Sequence, residues 1–163
     1  MKPKMFVGSS SEGLRLAYAV QQNLLNVAEV TVWSQGVFKP SSSVSESLAV
    51  YLDSDFALFV FSPDDKIVSR GEENPAARDN VVFELGLFTG RLGQERCFIL
   101  VPEGENLRIP TDLLGITLLK YEPKRSDGNL AAATGFSILS FMILRCVTTR
   151  GPMSWPRENK LGS

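Results

Sequence analysis

The chain has 163 residues, 44% of them apolar and 21% charged, with a net charge of −1. That length suits one ordinary domain able to bury roughly two-thirds of the surface its unfolded form exposes, and the balance excludes general disorder and any bulk electrostatic pull toward nucleic acid or an anionic membrane. The absence of histidine excludes Ser-His-Asp and Cys-His mechanisms and histidine-ligated metal, so any chemistry falls to carboxylates, hydroxyls, amides, Arg and Lys.

Met1-Lys2-Pro3-Lys4 leads straight into an apolar run at 5–7, without the longer apolar stretch and cleavage site of a signal peptide. A cytoplasmic setting is expected. Gly8-Ser9-Ser10-Ser11-Glu12-Gly13 follows, between this first strand and a helix over 12–26 in which Leu14, Ala17, Tyr18, Gln21, Leu24 and Leu25 form a stripe. Backbone N–H groups and small hydroxyls at a strand–helix junction suit phosphate or ribose oxygens. The same residues also read as a Ser N-cap on a tight turn, with Glu12 in the first helical turn. The glycine spacing and lysine of a P-loop are missing.

A second strand is expected at 30–33, followed by the loop Trp33-Ser34-Gln35-Gly36-Val37-Phe38. Its two aromatic residues either stack on a nucleobase or nicotinamide ring or anchor the loop to the core. After a helix over 43–52 comes FALFVF at 56–61, apolar at every position as a central parallel strand is.

The segment 69–93, SRGEENPAARDNVVFELGLFTGRLG, begins as a polar loop with Arg70, Glu72, Glu73 and Arg78. It continues as a helix over 80–92, which Asp79 or Asn80 is placed to cap. Asn80, Glu84, Leu87, Phe88 and Arg91 follow one another along one side, with Val81, Val82 and Leu85 packing elsewhere. Glu84 is thus a carboxylate between apolar neighbours, and glutamate is rarely buried without a reason. The alternative is a solvent-facing Glu84 paired with Arg91 or Arg78. The apolar flanks, and a helix starting at the strand-end face, favour a functional carboxylate.

Strands at 97–101 and 116–121 follow. Cys97 and Cys146, each in an apolar run, are expected as buried small hydrophobes. In the apolar segment 129–147, Thr134, Gly135, Ser137, Ser140 and Arg145 break the run of about 20 apolar residues that a membrane span needs. A closing helix on the sheet or in a subunit interface is expected there. Alternating strands and helices imply a doubly wound α/β sheet, with ligands at the carboxyl ends of the strands where strand order reverses.

Taken together, FVGSSSEGL, EVTVWSQGVF, DFALFVFSPDD, the 69–93 block and RIPTDLLGIT resemble the TIR domains of bacterial antiphage effectors. The likeness is greatest to those joined to STING-like or other cyclic-nucleotide sensors in CBASS and Pycsar defence. It runs in consistent order over residues 4–121 and weakens from Asn129.

The resemblance implies a flavodoxin-like TIR domain over 1–149, with a five-stranded parallel sheet and helices on both faces; the polar stretch 150–163, with Pro152, Pro156 and no periodicity, reads as a linker or C-terminal tail. It implies an NAD glycohydrolase with Glu84 as the catalytic residue, NAD as substrate, and neither cofactor nor metal. Phe6, Gly8, Ser9 and Ser10 would line the dinucleotide pocket, with Trp33 beside a ring and Arg78 near the phosphates or Glu84. Asp79 and Asn80 would cap the catalytic helix or touch ribose. The expected partners are further copies of the domain, in a homo-oligomer gathered by the cyclic-nucleotide sensor of a parent protein. The rival readings are a nucleoside deoxyribosyltransferase, which also breaks an N-glycosidic bond, and a non-enzymatic TIR assembly module.

Overall fold

The apolar runs become five parallel strands. In this computed structural model, which describes residues 2–36, 44–69 and 71–134, β1 (Lys4–Ser9) pairs on one side with β2 (Glu29–Val32) and on the other with β3 (Phe56–Val60). Two further strands, β6 (Cys97–Pro102) and β7 (Thr117–Tyr121), complete the order β2-β1-β3-β6-β7. The central strands β3 and β6 are buried at every residue, whereas the edge strands β2 and β7 are buried only in part. This is what covering a parallel sheet on both faces requires.

Period-two alternation divides the core. Met5, Val7, Phe56, Leu58 and Val60 face α1 (Leu14–Leu24), whose Leu16, Ala17, Val20 and Leu24 pack on them. Phe6, Ala57 and Phe59 face the opposite layer, where α2 (Val44–Ala49) contributes Leu48 and α3 (Asp79–Leu92) contributes Val81, Leu85, Phe88 and Leu92. Phe6 stacks on Phe88 at 4.6 Å and Phe59 meets Phe88 edge-on at 5.5 Å. The chain leaves β1 toward one edge of the sheet and returns to the other, so strand order reverses between β1 and β3.

Several expectations need correction. The polar segment before α3 is not simply a loop: it holds most of an antiparallel hairpin, β4 (Asp65–Ser69) with β5 (Glu72–Ala76), turning at Gly71 with φ of 83°. Such a φ favours glycine. The strand sequences DKIVS and EENPA carry no period-two apolar alternation, so nothing in the pattern announces them. The N-cap of α3 is Arg78, in extended conformation and without a side-chain cap bond, rather than Asp79 or Asn80. Helix α1 starts at Leu14 after Gly13, which leaves Glu12 outside the first turn. The helix expected over 43–52 is α2 continued by a 3-10 turn, Val50–Asp53.

A last helix begins at Leu130. Val37, Phe38, Ser43, Arg70, the rest of the expected closing helix with Cys146, and the tail 150–163 lie outside the described residues. Among the described residues, no helix is long and apolar enough to cross a membrane.

Candidate active site

Three elements converge where strand order reverses. The ends of β1 and β2 and the start of α3 enclose a cavity of about 270 Å³ lined by Ser9, Ser10, Ser11, Trp33, Arg78, Asn80 and Glu84. Three of these side chains, Ser9, Ser10 and Trp33, are held by hydrogen bonds. Trp33 Nε1 donates to Ser9 Oγ at 2.8 Å, and Ser9 Oγ donates to the Ser10 carbonyl at 2.9 Å. Ser10 Oγ accepts the Gly13 N–H at 3.1 Å and donates to Asp64 Oδ2. The serine-rich turn is thereby tied to both the β2 and β3 loops, and the indole is fixed against the cavity wall.

Glu84 comes from the second turn of α3 and is only 6% exposed. It shares the buried stripe of Val81, Leu85 and Phe88 instead of standing on a different side from Val81 and Leu85, as the spacing suggested. Among the described residues it has no hydrogen-bond or ion-pair partner. Arg78 pairs with Glu12 at 2.6 Å and Arg91 with Asp53 at 2.8 Å, which removes the reading of Glu84 as a surface ion-pair member. Burial without compensation pushes the Glu84 carboxyl up to about 7 from an ordinary 4.5. At neutral pH the group is poised between acid and anion, a condition characteristic of functional carboxylates.

The structure thus brings Ser9, Ser10, Trp33, Arg78, Asn80 and Glu84 together. Phe6 and Gly8 are not in the lining. Phe6 is fully buried in the aromatic cluster on the α3 side of the sheet. Gly8 lies where a Cβ would come within 2.4 Å of the Phe59 ring, so its lack of a side chain serves packing. Asp79 is exposed in the first turn of α3, also outside the lining. Ser11 belongs to the lining although it was not singled out within its own motif. Asp64 holds Ser10 across 54 residues of sequence, a partnership that no local signal discloses. Among the described residues, no group of three or more Cys, Asp or Glu is disposed to hold a metal ion.

Comparison with known proteins adds a family to this geometry. The family described as CAP12/Pycsar effector protein, TIR domain, matches residues 4–123. The Pycsar effector protein PaPycTIR of Pseudomonas aeruginosa is 42% identical over 131 residues, 79% of this chain and 42% of that protein. The Burkholderia cepacia protein BcPycTIR is 43% identical over 122 residues, 74% of this chain and 40% of its own length. CD-NTase-associated protein 12 of Niabella drilacis is 37% identical over 145 residues, 85% of this chain and 46% of the other. The chain spans less than half the length of each of these relatives.

Proposed function

The chain belongs to the CAP12/Pycsar effector TIR-domain family, and from that premise we propose that it is the NAD-cleaving domain of a bacterial antiphage effector acting in the cytoplasm. The observation that carries this reading is Glu84, buried in the switch-point cavity with no partner among the described residues. In the reaction the bond from ribose C1′ to the nicotinamide nitrogen breaks and its electron pair neutralises the pyridinium ring. Water then adds to C1′, giving ADP-ribose and a proton. Pyridinium nicotinamide leaves readily without a general acid, so a protein without histidine is equipped for the step. Ionised Glu84 accepts hydrogen bonds from the ribose hydroxyls and stabilises the oxocarbenium-like transition state.

The rest of the cavity supports a dinucleotide. The Trp33 indole, fixed by Ser9, offers a face for ring stacking. The serine turn and the start of α3 present hydroxyls and N–H groups suited to ribose and phosphate oxygens. NAD is substrate here, and the chemistry calls for no cofactor or metal. On this reading residues 1–149 form the catalytic domain and 150–163 a linker, and the sensor that gathers copies of the domain lies in the parent protein.

The deciding experiment is nicotinamide release by wild type and by Glu84→Gln, each free and forced into clusters by a fused oligomerisation module. Release by clustered wild type, absent from the variant, is the expected result. Equal background in both returns the chain to the non-enzymatic assembly reading. Transfer of deoxyribose between bases, with NAD untouched, would establish the transferase instead.

A further inference from the structure

We propose that Glu12 competes with ligand phosphate at this site: its carboxylate occupies the Arg78 guanidinium, and a ligand phosphate binds by taking its place. The inference rests on the reading of the cavity as a nucleotide site. Arg78 is the cation among the described residues lining the cavity, and it stands at the N-cap of α3. Its Nη2 is 2.6 Å from Glu12 Oε1, a partner from the β1–α1 turn 66 residues away. The Nε donor of the same guanidinium is buried with no acceptor among the described residues. A guanidinium recognises phosphate best through two parallel N–H donors. Here one donor is held by Glu12 and another is left without an acceptor.

Both members of the ion pair are partly exposed, with 41% and 49% of the side-chain surface accessible. A pair so exposed is worth at most about fivefold in an equilibrium constant. A phosphate can displace it by supplying charge-assisted bonds to the Nε and Nη groups together. The first N–H groups of a helix have no intrahelical acceptor, and those of α3 follow directly on Arg78 in the chain. A neutral or cationic ligand has nothing to offer Arg78 and leaves the Glu12 pair closed. Glu12 therefore lowers affinity for every anionic ligand of the cavity by a modest factor.

The test is calorimetric binding of ADP-ribose, inorganic pyrophosphate and phosphate-free nicotinamide riboside to wild type, Glu12→Gln, Arg78→Ala and the double variant. Thermal melts confirm that each variant is folded. Glu12→Gln keeps the shape of an exposed side chain and is expected to bind ADP-ribose and pyrophosphate about two- to fivefold more tightly than wild type. Nicotinamide riboside should not distinguish the two, and the gain should vanish when Arg78 is also replaced. The proposal is overturned by an unchanged or weaker ADP-ribose affinity in Glu12→Gln, by a gain that survives Arg78→Ala, by an equal gain for nicotinamide riboside, or by ADP-ribose binding to none of the four proteins. Wild type that binds ADP-ribose but releases no nicotinamide from NAD counts against the hydrolase reading alone. The role of Glu12 is then still decided by the calorimetry.

Discussion

Two cavities of similar size lie near opposite ends of the strands. One, about 270 Å³, holds Glu84 and the serine turn at the carboxyl ends; the other, about 250 Å³, is bordered by Lys4, Glu29, Tyr51 and Asp53 near the amino ends of β1 and β2. Volume does not separate them, but the state of their charges does. Lys4, Glu29 and Asp53 are exposed to water, and Asp53 is paired with Arg91. Glu84 is desolvated with no compensating partner among the described residues, which a fold tolerates only at a cost in stability. An uncompensated buried charge in a cleft is a better guide to function than the cleft itself.

The largest expected effect breaks the symmetry between the two cavities directly. Glu84→Gln should lower nicotinamide release by about 10²–10³-fold, the range for loss of one transition-state contact, whereas Asp53→Asn should leave it within about twofold. Comparable losses at both positions would erase the distinction drawn from burial.

Next comes the pH dependence of Glu84, raised from 4.5 to about 7 in the fold. A carboxyl that holds its proton more tightly when folded leaves stability fully present below about 4.5, and that stability is lost as pH rises through about 7. The loss amounts to about 3 kcal/mol, and Glu84→Gln should be free of it. Urea denaturation at pH 5 and at pH 8.5 should show the variant overtaking wild type at the higher pH. Activity should move the other way, kcat/KM rising with pH through about 7 as the anion forms. A wild-type stability that tracks the variant at both pH values would contradict the desolvation account.

Two smaller effects sharpen the contrast between packing and pocket within one short segment. Gly8→Ala drives a methyl group against Phe59, a fully buried ring packed against Phe6 and Phe88, and should cost about 1–3 kcal/mol of stability. A neutral result in chemical denaturation would mean that the ring can yield. Trp33→Phe removes the 2.8 Å bond to Ser9 while keeping an aromatic face. It should raise the KM for NAD about fivefold, the worth of one hydrogen bond, with kcat little changed. A fall in kcat alone would place Trp33 in the chemistry instead of in binding.

Much of this contrast was already legible in the chain. The five strands and three helices follow apolar runs and helical stripes, and FALFVF announced the middle of the sheet by being apolar throughout. Glu84 stood out because its neighbours are apolar, and Ser9, Ser10 and Trp33 because they follow strand ends. The hairpin β4–β5 stayed hidden because DKIVS and EENPA carry no period-two apolar alternation. Phe6 and Gly8 were assigned to the pocket by the family resemblance, and neither is in the cavity lining. In a strand each step reverses the face, and both positions serve the packing on the α3 side.

What the sequence determined by itself is the class of fold, the end of the sheet where a ligand would bind, and the carboxylate most out of place. These depend on local periodicity and composition, which are properties of neighbouring residues. The tertiary structure alone decided that Glu84 has no partner among the described residues, that Arg78 is held by Glu12, and that Asp64 steadies Ser10. Such pairings join residues 54 and 66 positions apart. They exist only because the return from β1 to β3 places the loops at the carboxyl ends of the strands against the start of α3.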